Sequence, residues 1–230
     1  VGKNKDPVKL PPRVGLFAKA ANAYLKRYPS GKDHTEIKYR LGSIYYYFNQ
    51  FDRALPFLSA VIKEKPKSKQ AEYSANLILD IYNLKGDYES LEKAADKLLG
   101  VSSLAQSKVG SQIKSIKQQS AFKRAESLEK SKDYTGSAKA YESFADLNPA
   151  SPLVAAALFN AAVNYERASA PGSALGLYGK VLSNPKANKD LKKKSKKFRA
   201  ILLEETGQYL QAAKEFEGYA KAFPKDPYAI

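Results

Sequence analysis

"YRLGSIYYYFNQFDRALPFLSAVIKEKP", residues 39–66, is the stretch from which the rest of the chain is read. It sets Tyr45, Tyr46, Tyr47 and Phe48 side by side in what otherwise has the pattern of a helix. A helix repeats every 3.6 residues, so Leu41, Tyr45 and Phe48 share one face, whereas Tyr39, Ser43, Tyr46 and Tyr47 lie largely around the other side. A polar turn follows, then a second helical run carrying Phe51, Ala54 and Leu58 before Pro66 ends it. Helical phase therefore divides the aromatic block: Tyr45 is expected in the core, and Tyr46 and Tyr47 outside it.

The same phrase recurs. An aromatic-rich helix leads to Gly or a polar turn, then an aromatic, a small residue and finally a proline. "LILDIYNLKGDYESLEKAADKLL" supplies Tyr82, Gly86, Tyr88 and Ala95. "AESLEKSKDYTGSAKAYESFADLNP" supplies Leu128, Tyr134, Ala138, Tyr141 and Pro149. "LFNAAVNYERASAPGSALGLYGKVLSNP" gives Ala161, Ala162, Tyr165, Ala174, Tyr178 and Pro185, and "RAILLEETGQYLQAAKEFEGYAKAFP" gives Ala200, Leu203, Gly207, Tyr209, Ala212, Phe216 and Pro224. An incomplete copy, "LFAKAANAYLKRYP", opens the array with its second helix only. Marker positions 45, 82, 128, 165 and 203 are 37, 46, 37 and 38 residues apart.

In residues 39–66 the positions Leu41, Gly42, Tyr45, Phe51, Ala54, Leu58 and Pro66 fall at the L-G-x-x-Y, A-x-x-x-F and P spacing of the tetratricopeptide pattern. The chain resembles that family over nearly its whole length. The resemblance implies an all-α fold, a right-handed superhelix or α-solenoid of about five helix pairs plus a partial N-terminal repeat, with a concave groove. Each helix pair has an apolar stripe too wide to leave wet, and stacking buries it against the next pair. The expected repeats are approximately 8–30 (partial), 35–67, 70–101, 105–150, 152–186 and 190–226, forming a single solenoid over 1–230. The extra length of the third full copy is assigned to a long first helix over Gln106–Lys130, where Val109, Ile113, Ile116, Ser120, Ala121, Ala125 and Leu128 form one stripe. "GVSSLAQS" before it, with Gly100, Ser102 and Ser103, is expected to be a flexible joint.

The turns "RYPSGKD", "KPKSKQAEY", "LNPASPLVAAAL" and "FPKDPYA" place a proline, then Ser or Asp, where the polar residue would cap the next helix. With residues 39–55 they are similar to repeats of bacterial envelope proteins such as outer-membrane assembly lipoproteins and periplasmic coordinators of wall synthesis. That resemblance implies a periplasmic or cell-envelope location, the cytoplasm being the alternative. Composition bounds the function further. The 39 Lys and Arg against 23 Asp and Glu leave a net charge of +16, which attracts acidic proteins, nucleic acid or anionic envelope polymers. There is no cysteine, hence no disulfide, thiolate metal site or thiol nucleophile. No run approaches the roughly 18 consecutive apolar residues that span a bilayer. A start at Val1 and an end in "FPKDPYAI" have the look of a piece excised from a longer protein.

By the resemblance, first-helix positions on the phase of Tyr46 line the concave groove, and the same phase is carried through the other copies. These positions are Tyr39, Arg40, Ser43, Tyr46 and Tyr47, then Tyr73, Asn76 and Asp80, then Phe122 and Lys123, then Phe159, Asn160 and Val163, then Lys197 and Ile201. Contact with the neighbouring repeat is the alternative role for the aromatics among them. Asparagines fix a peptide backbone through paired donor and acceptor, and aromatics bury side chains at low entropic cost. Some family members hold chaperone C-termini with a Lys-Asn-Asn-Lys-Arg carboxylate clamp. Here the corresponding places hold Tyr39, Ser43 and Leu77, and although Asn160 matches one element in a later frame, Phe198 occupies the arginine's place. A basic patch comprises Lys189, Lys192, Lys193, Lys194, Lys196, Lys197 and Arg199, and a second group comprises Lys63, Lys65, Lys67 and Lys69. Either could meet phosphates or remain a solvated surface.

Catalysis finds no nucleophile paired with a base. His34 is the only histidine, Glu204 and Glu205 diverge as helical neighbours, and "PGSALGLYG" lacks the Gly-Lys-Ser/Thr ending of a phosphate loop. No cofactor or metal is expected. The reading is a non-catalytic interaction scaffold binding a peptide segment or helix of a protein partner, an acidic one by charge, in a groove, with an anionic-polymer binder, for nucleic acid or wall material, as the alternative.

Overall fold

The first helix of every full repeat ends in the same backbone device. Asn49, Gly86, Lys132, Ser169 and Gly207 have positive φ, at 54°, 69°, 65°, 56° and 76°. Each stands four residues after a marker, so the left-handed residues repeat at the same 37, 46, 37 and 38 spacing as the sequence. The amide of the following residue donates back to the marker's carbonyl: Gln50 to Tyr45 at 2.8 Å, Asp87 to Tyr82 at 3.1 Å, Asp133 to Leu128 at 2.9 Å, Ala170 to Tyr165 at 2.8 Å and Gln208 to Leu203 at 2.8 Å. The left-handed residue itself donates to the carbonyl three before it, as Asn49 does to Tyr46 at 3.0 Å. This is the Schellman arrangement, which satisfies the last carbonyls of a helix and reverses the chain within a few residues. The marker tyrosine or leucine thus anchors both the core and the turn.

The computed structural model describes residues 5–228, and among these there are twelve helices and no strand. The chain divides into two units, one up to Ser120 and one from Ala121. The first unit contains α1 (Pro12–Arg27), α2 (His34–Tyr47), α3 (Phe51–Glu64), α4 (Lys69–Lys85), α5 (Tyr88–Leu99) and the one-turn α6 (Ser102–Ala105). The boundary falls within α7 (Lys108–Lys130), the long helix expected over 106–130. The second unit continues with α8 (Tyr134–Leu147), α9 (Val154–Arg167), α10 (Pro171–Ser183), α11 (Lys189–Glu205) and α12 (Tyr209–Ala222).

In the first unit α2 packs on α3, α3 on α4 and α4 on α5, and α2 also touches α4. Leu41, Tyr45, Ala54, Leu58, Ala71, Ile81, Leu91 and Ala95 are all buried in one apolar cluster that continues to Val109 and Ile113 of α7. Gly42 sets the closeness of α2 and α3: a Cβ there would lie 2.8 Å from Leu58 Cδ2, too near to be accommodated without movement. The second unit repeats the scheme through α8–α9, α9–α10, α10–α11 and α11–α12, with Tyr141, Phe144, Ala162, Ala174 and Tyr178 buried.

Two local expectations change. "GVSSLAQS" contains the one-turn α6, held in place at its middle, where Leu104 is buried and Ser103 Oγ donates to the Pro66 carbonyl at 2.7 Å. Of the polar residues expected to cap, Ser68 does so, accepting from the Ala71 amide at 3.1 Å, whereas Asp33 makes no side-chain cap and Ser151 accepts from the nearby Leu153 amide instead. Asp87, Asp133 and Asn188, at other turns, cap α5, α8 and α11 through the amides of Ser90, Gly136 and Leu191.

Candidate functional site: an aromatic groove in the first unit

The three consecutive tyrosines of α2 occupy three different environments. Tyr45 is 1% exposed, its ring stacked on Phe57 at 5.8 Å between centroids. Its hydroxyl accepts from Arg53 Nη2 at 2.7 Å and Asn22 Nδ2 at 3.3 Å. Tyr47, two positions on, is 75% exposed. Tyr46 lies between these extremes: it is half-buried, packs against Phe51 at 6.1 Å and donates its hydroxyl to Asp80 of α4. Burial first, and the Asp80 carboxylate second, hold the Tyr46 hydroxyl well above the ordinary tyrosine range. Tyr46 and Asp80 were expected to face a ligand. In the structure they are hydrogen-bonded to each other, joining the first helices of successive repeats, because the residue one step round the helix from the core points at the neighbouring helix.

The exposed side of α2 and α4 forms an open groove with a volume of about 620 Å³. Tyr39, Arg40, Ser43, Ile44 and Tyr47 line it from α2, Tyr73, Asn76 and Leu77 from α4, and Phe17 from α1. Six of these, Tyr39, Arg40, Ser43, Tyr47, Tyr73 and Asn76, are positions the helical phase assigned to a groove. Tyr39 and Tyr73 approach to 6.3 Å between centroids across the α2–α4 seam. Phe17 and Tyr73 are 40% and 53% exposed, so apolar ring surface stands open to water. Glu36 accepts from Arg40 Nε at 2.9 Å and from Gln70 Nε2 at 3.2 Å, and the arginine chiefly depresses its pKa. Phe17 escaped the sequence reading, although the incomplete opening copy supplied the helix that carries it.

In the second unit the corresponding positions behave differently. Phe122 packs edge-on against Tyr141 at 5.0 Å and Phe144 at 5.6 Å, while Phe159 contacts Tyr178 at 5.8 Å and Phe198 at 6.0 Å. With Val163 they are partly buried against the core; Phe122 packs on the second helix of its own repeat, while Phe159 also reaches Phe198 of the next repeat, the neighbouring-repeat contact that was the alternative for the aromatics. Asn160 hydrogen-bonds Tyr141, whose phenol burial pushes up to about 12. Lys123 is exposed and Ile201 half-buried on the same helical phase.

Three of the seven basic-patch residues are ion-paired, and a fourth lies on an aromatic ring. Lys193 meets Asp226, Lys194 meets Asp190 at 2.9 Å, Arg199 meets Glu215 at 2.7 Å, and the Lys197 ammonium lies over the Tyr228 ring. The Lys193 contact is the main reason the Asp226 carboxyl is held down at about 2. Lys189 is exposed and Lys192 and Lys196 are half-exposed, and Lys63, Lys65, Lys67 and Lys69 all stand in solvent. His34 lies 3.7 Å from Glu64, which also accepts from Thr35 and Lys38. No helix among the described residues is long and apolar enough to cross a membrane.

Two family profiles match this chain, each described as a tetratricopeptide repeat, over residues 36–68 and 122–188. A search of curated proteins yields no match. Among solved structures the chain is similar to MamA from Desulfovibrio magneticus RS-1, with 14% identity over 95% of this chain and 99% of that one, at a TM-score of 0.39. It is also similar to the TPR2AB domain of yeast Sti1, in a complex with pHSP90, with 13% identity over 94% of this chain and 88% of that one, at a TM-score of 0.39. The recurring markers, the five matching Schellman turns and the two profile matches agree. The chain contains tetratricopeptide repeats, with a matched segment in each of its two units.

Proposed function

We propose that the chain is a non-catalytic scaffold that holds an extended peptide segment of a protein partner in the α2–α4 groove. The observation that carries this reading is the open groove of about 620 Å³ in which Phe17, Tyr39, Tyr47 and Tyr73 surround Arg40 and Asn76. Rigid aromatic rings supply contact area with few rotors to freeze, and Asn76 supplies a paired donor and acceptor for a peptide group. The Tyr46–Asp80 hydrogen bond fixes the two walls beforehand, which lowers the ordering cost of binding. The ion pairs of Lys193, Lys194 and Arg199 reduce the free positive charge this patch can offer an anionic polymer. A bacterial cell-envelope assembly is the proposed setting, supported by the likeness of the proline-containing inter-repeat turns to envelope repeats.

The test is selection of peptides from a random display library on the full chain, followed by titration of the selected peptides. Binding should fall by about tenfold or more in the Tyr47→Ala/Tyr73→Ala double variant, both positions being exposed, with the thermal midpoint nearly unchanged. Peptides that bind parent and double variant equally would place the interaction elsewhere and remove the groove from the account.

A further inference from the structure

On the side of the first unit formed by second helices there is another cavity, of about 570 Å³, lying between α3 and α5. Both helices are joined to α4 by short turns and pack against it, so they run alongside each other with α4 beneath. Ile78 and Tyr82 of α4 form the floor, Leu55, Ser59 and Ile62 one wall, and Ala94, Leu98 and Val101 the other. At the far end the Ser103 Oγ bond to the Pro66 carbonyl, 2.7 Å, ties the two walls together. The lining contains no carboxylate, and its charged members are Lys63, Lys93 and Lys97. Lys93 is paired with Glu89 at 2.5 Å, whereas among the described residues neither Lys63 nor Lys97 has an acidic partner.

We infer that this cleft is a binding site for an amphiphilic carboxylate, a single aliphatic chain lying on Ile62, Ile78 and Leu98 with its anionic head between Lys63 and Lys97. The inference is independent of the peptide groove, with which the cleft shares no lining residue. Three features select this occupant. The volume falls in the range of small-molecule sites, about 300–1,000 Å³. An extended peptide would bring backbone N–H and C=O groups onto a surface whose uncharged polar side chains are Ser59, Ser90 and Tyr82, whereas an alkyl chain needs no hydrogen bonds. Unpaired lysines at a rim with no acid attract a single negative head and repel a cationic one.

The experiment is calorimetric titration of the full chain with octanoate, decanoate and dodecanoate, each below its micelle-forming concentration, beside dodecanol and an acidic amphipathic peptide. Affinity should rise about fourfold per added methylene while the chain still lies within the cleft. Dodecanol should bind about tenfold more weakly than dodecanoate, and Lys63→Gln/Lys97→Gln should cost dodecanoate about the same factor. Ser59→Trp, at an exposed position on the wall, should abolish dodecanoate binding while leaving the helical signal and the selected peptides of the groove unaffected. Dodecanoate binding that survives Ser59→Trp, or that does not distinguish dodecanoate from dodecanol, overturns the assignment. So does a cleft that takes the acidic peptide but not dodecanoate, or one whose only Ser59→Trp-sensitive event is association of two copies of this chain.

Discussion

Replacing Tyr45, Tyr46 and Tyr47 by alanine one at a time should give three different stability losses within three adjacent residues. Tyr45 is 1% exposed and stacked on Phe57, and removing a buried aromatic costs about 3–5 kcal/mol. Tyr46 is half-buried and loses one hydrogen bond to a carboxylate plus part of its contact with Phe51, about 1.5–3 kcal/mol together. Tyr47 is 75% exposed and should lie within about 0.5 kcal/mol of the parent. Tyr46→Phe isolates the Asp80 hydrogen bond and should cost about 1 kcal/mol. A chain with two units is not safely treated as two-state, so the measurement is amide exchange by mass spectrometry on the α2 and α4 segments. Protection should fall by about a hundredfold to several thousandfold for Tyr45→Ala, and by about ten- to a hundredfold for Tyr46→Ala. Tyr47→Ala should leave it nearly unchanged and weaken only peptide binding. Equal losses at Tyr46 and Tyr47, or no effect of Tyr46→Phe, would refute the assignment of Tyr46 to the α2–α4 seam.

Two further outcomes test the backbone and the charges. Lys132 and Ser169 hold left-handed conformations that cost an L-residue about 1–2 kcal/mol, so Lys132→Gly and Ser169→Gly should each raise the stability of the second unit by about 0.5–1 kcal/mol after glycine's own entropy is subtracted; lower urea midpoints would contradict this. Burial first, and Glu205 in addition, raise the pKa of Glu166, opposed by the hydrogen bond it accepts from the Tyr178 hydroxyl at 2.9 Å. A carboxyl with a raised folded-state pKa binds its proton more tightly folded than unfolded, so stability falls as pH rises from about 4.3 through the folded value. Glu166→Gln should therefore be more stable than the parent at pH 7, with the advantage vanishing near pH 3; an advantage that is the same at both pH values would show that ionisation is not its source.

Sequence alone determined what depends on local chemistry and spacing. The markers at 45, 82, 128, 165 and 203 located the turns, because a helix that must end within four residues of a core anchor and reverse leaves the same trace each time. The burial of Tyr45, on the face it shares with Leu41, and the long helix ending at Lys130 were legible from the 3.6-residue stripe. Six of the nine groove-lining side chains followed from the same stripe, since phase on a helix states which way a residue faces. Phase does not state what it faces. Whether Tyr46 meets water or Asp80, and whether Phe122 and Phe159 meet a ligand or Tyr141 and Tyr178, depends on where the neighbouring helix stands, and residues 34 and 19 positions apart leave no periodic signal of that. The division of the chain inside α7 at Ser120, and the lysine-rimmed cleft that α3 and α5 leave above Ile78, belong to the same class. Both arise from how completely helices distant in sequence fill the space between them, and only the tertiary packing decides that.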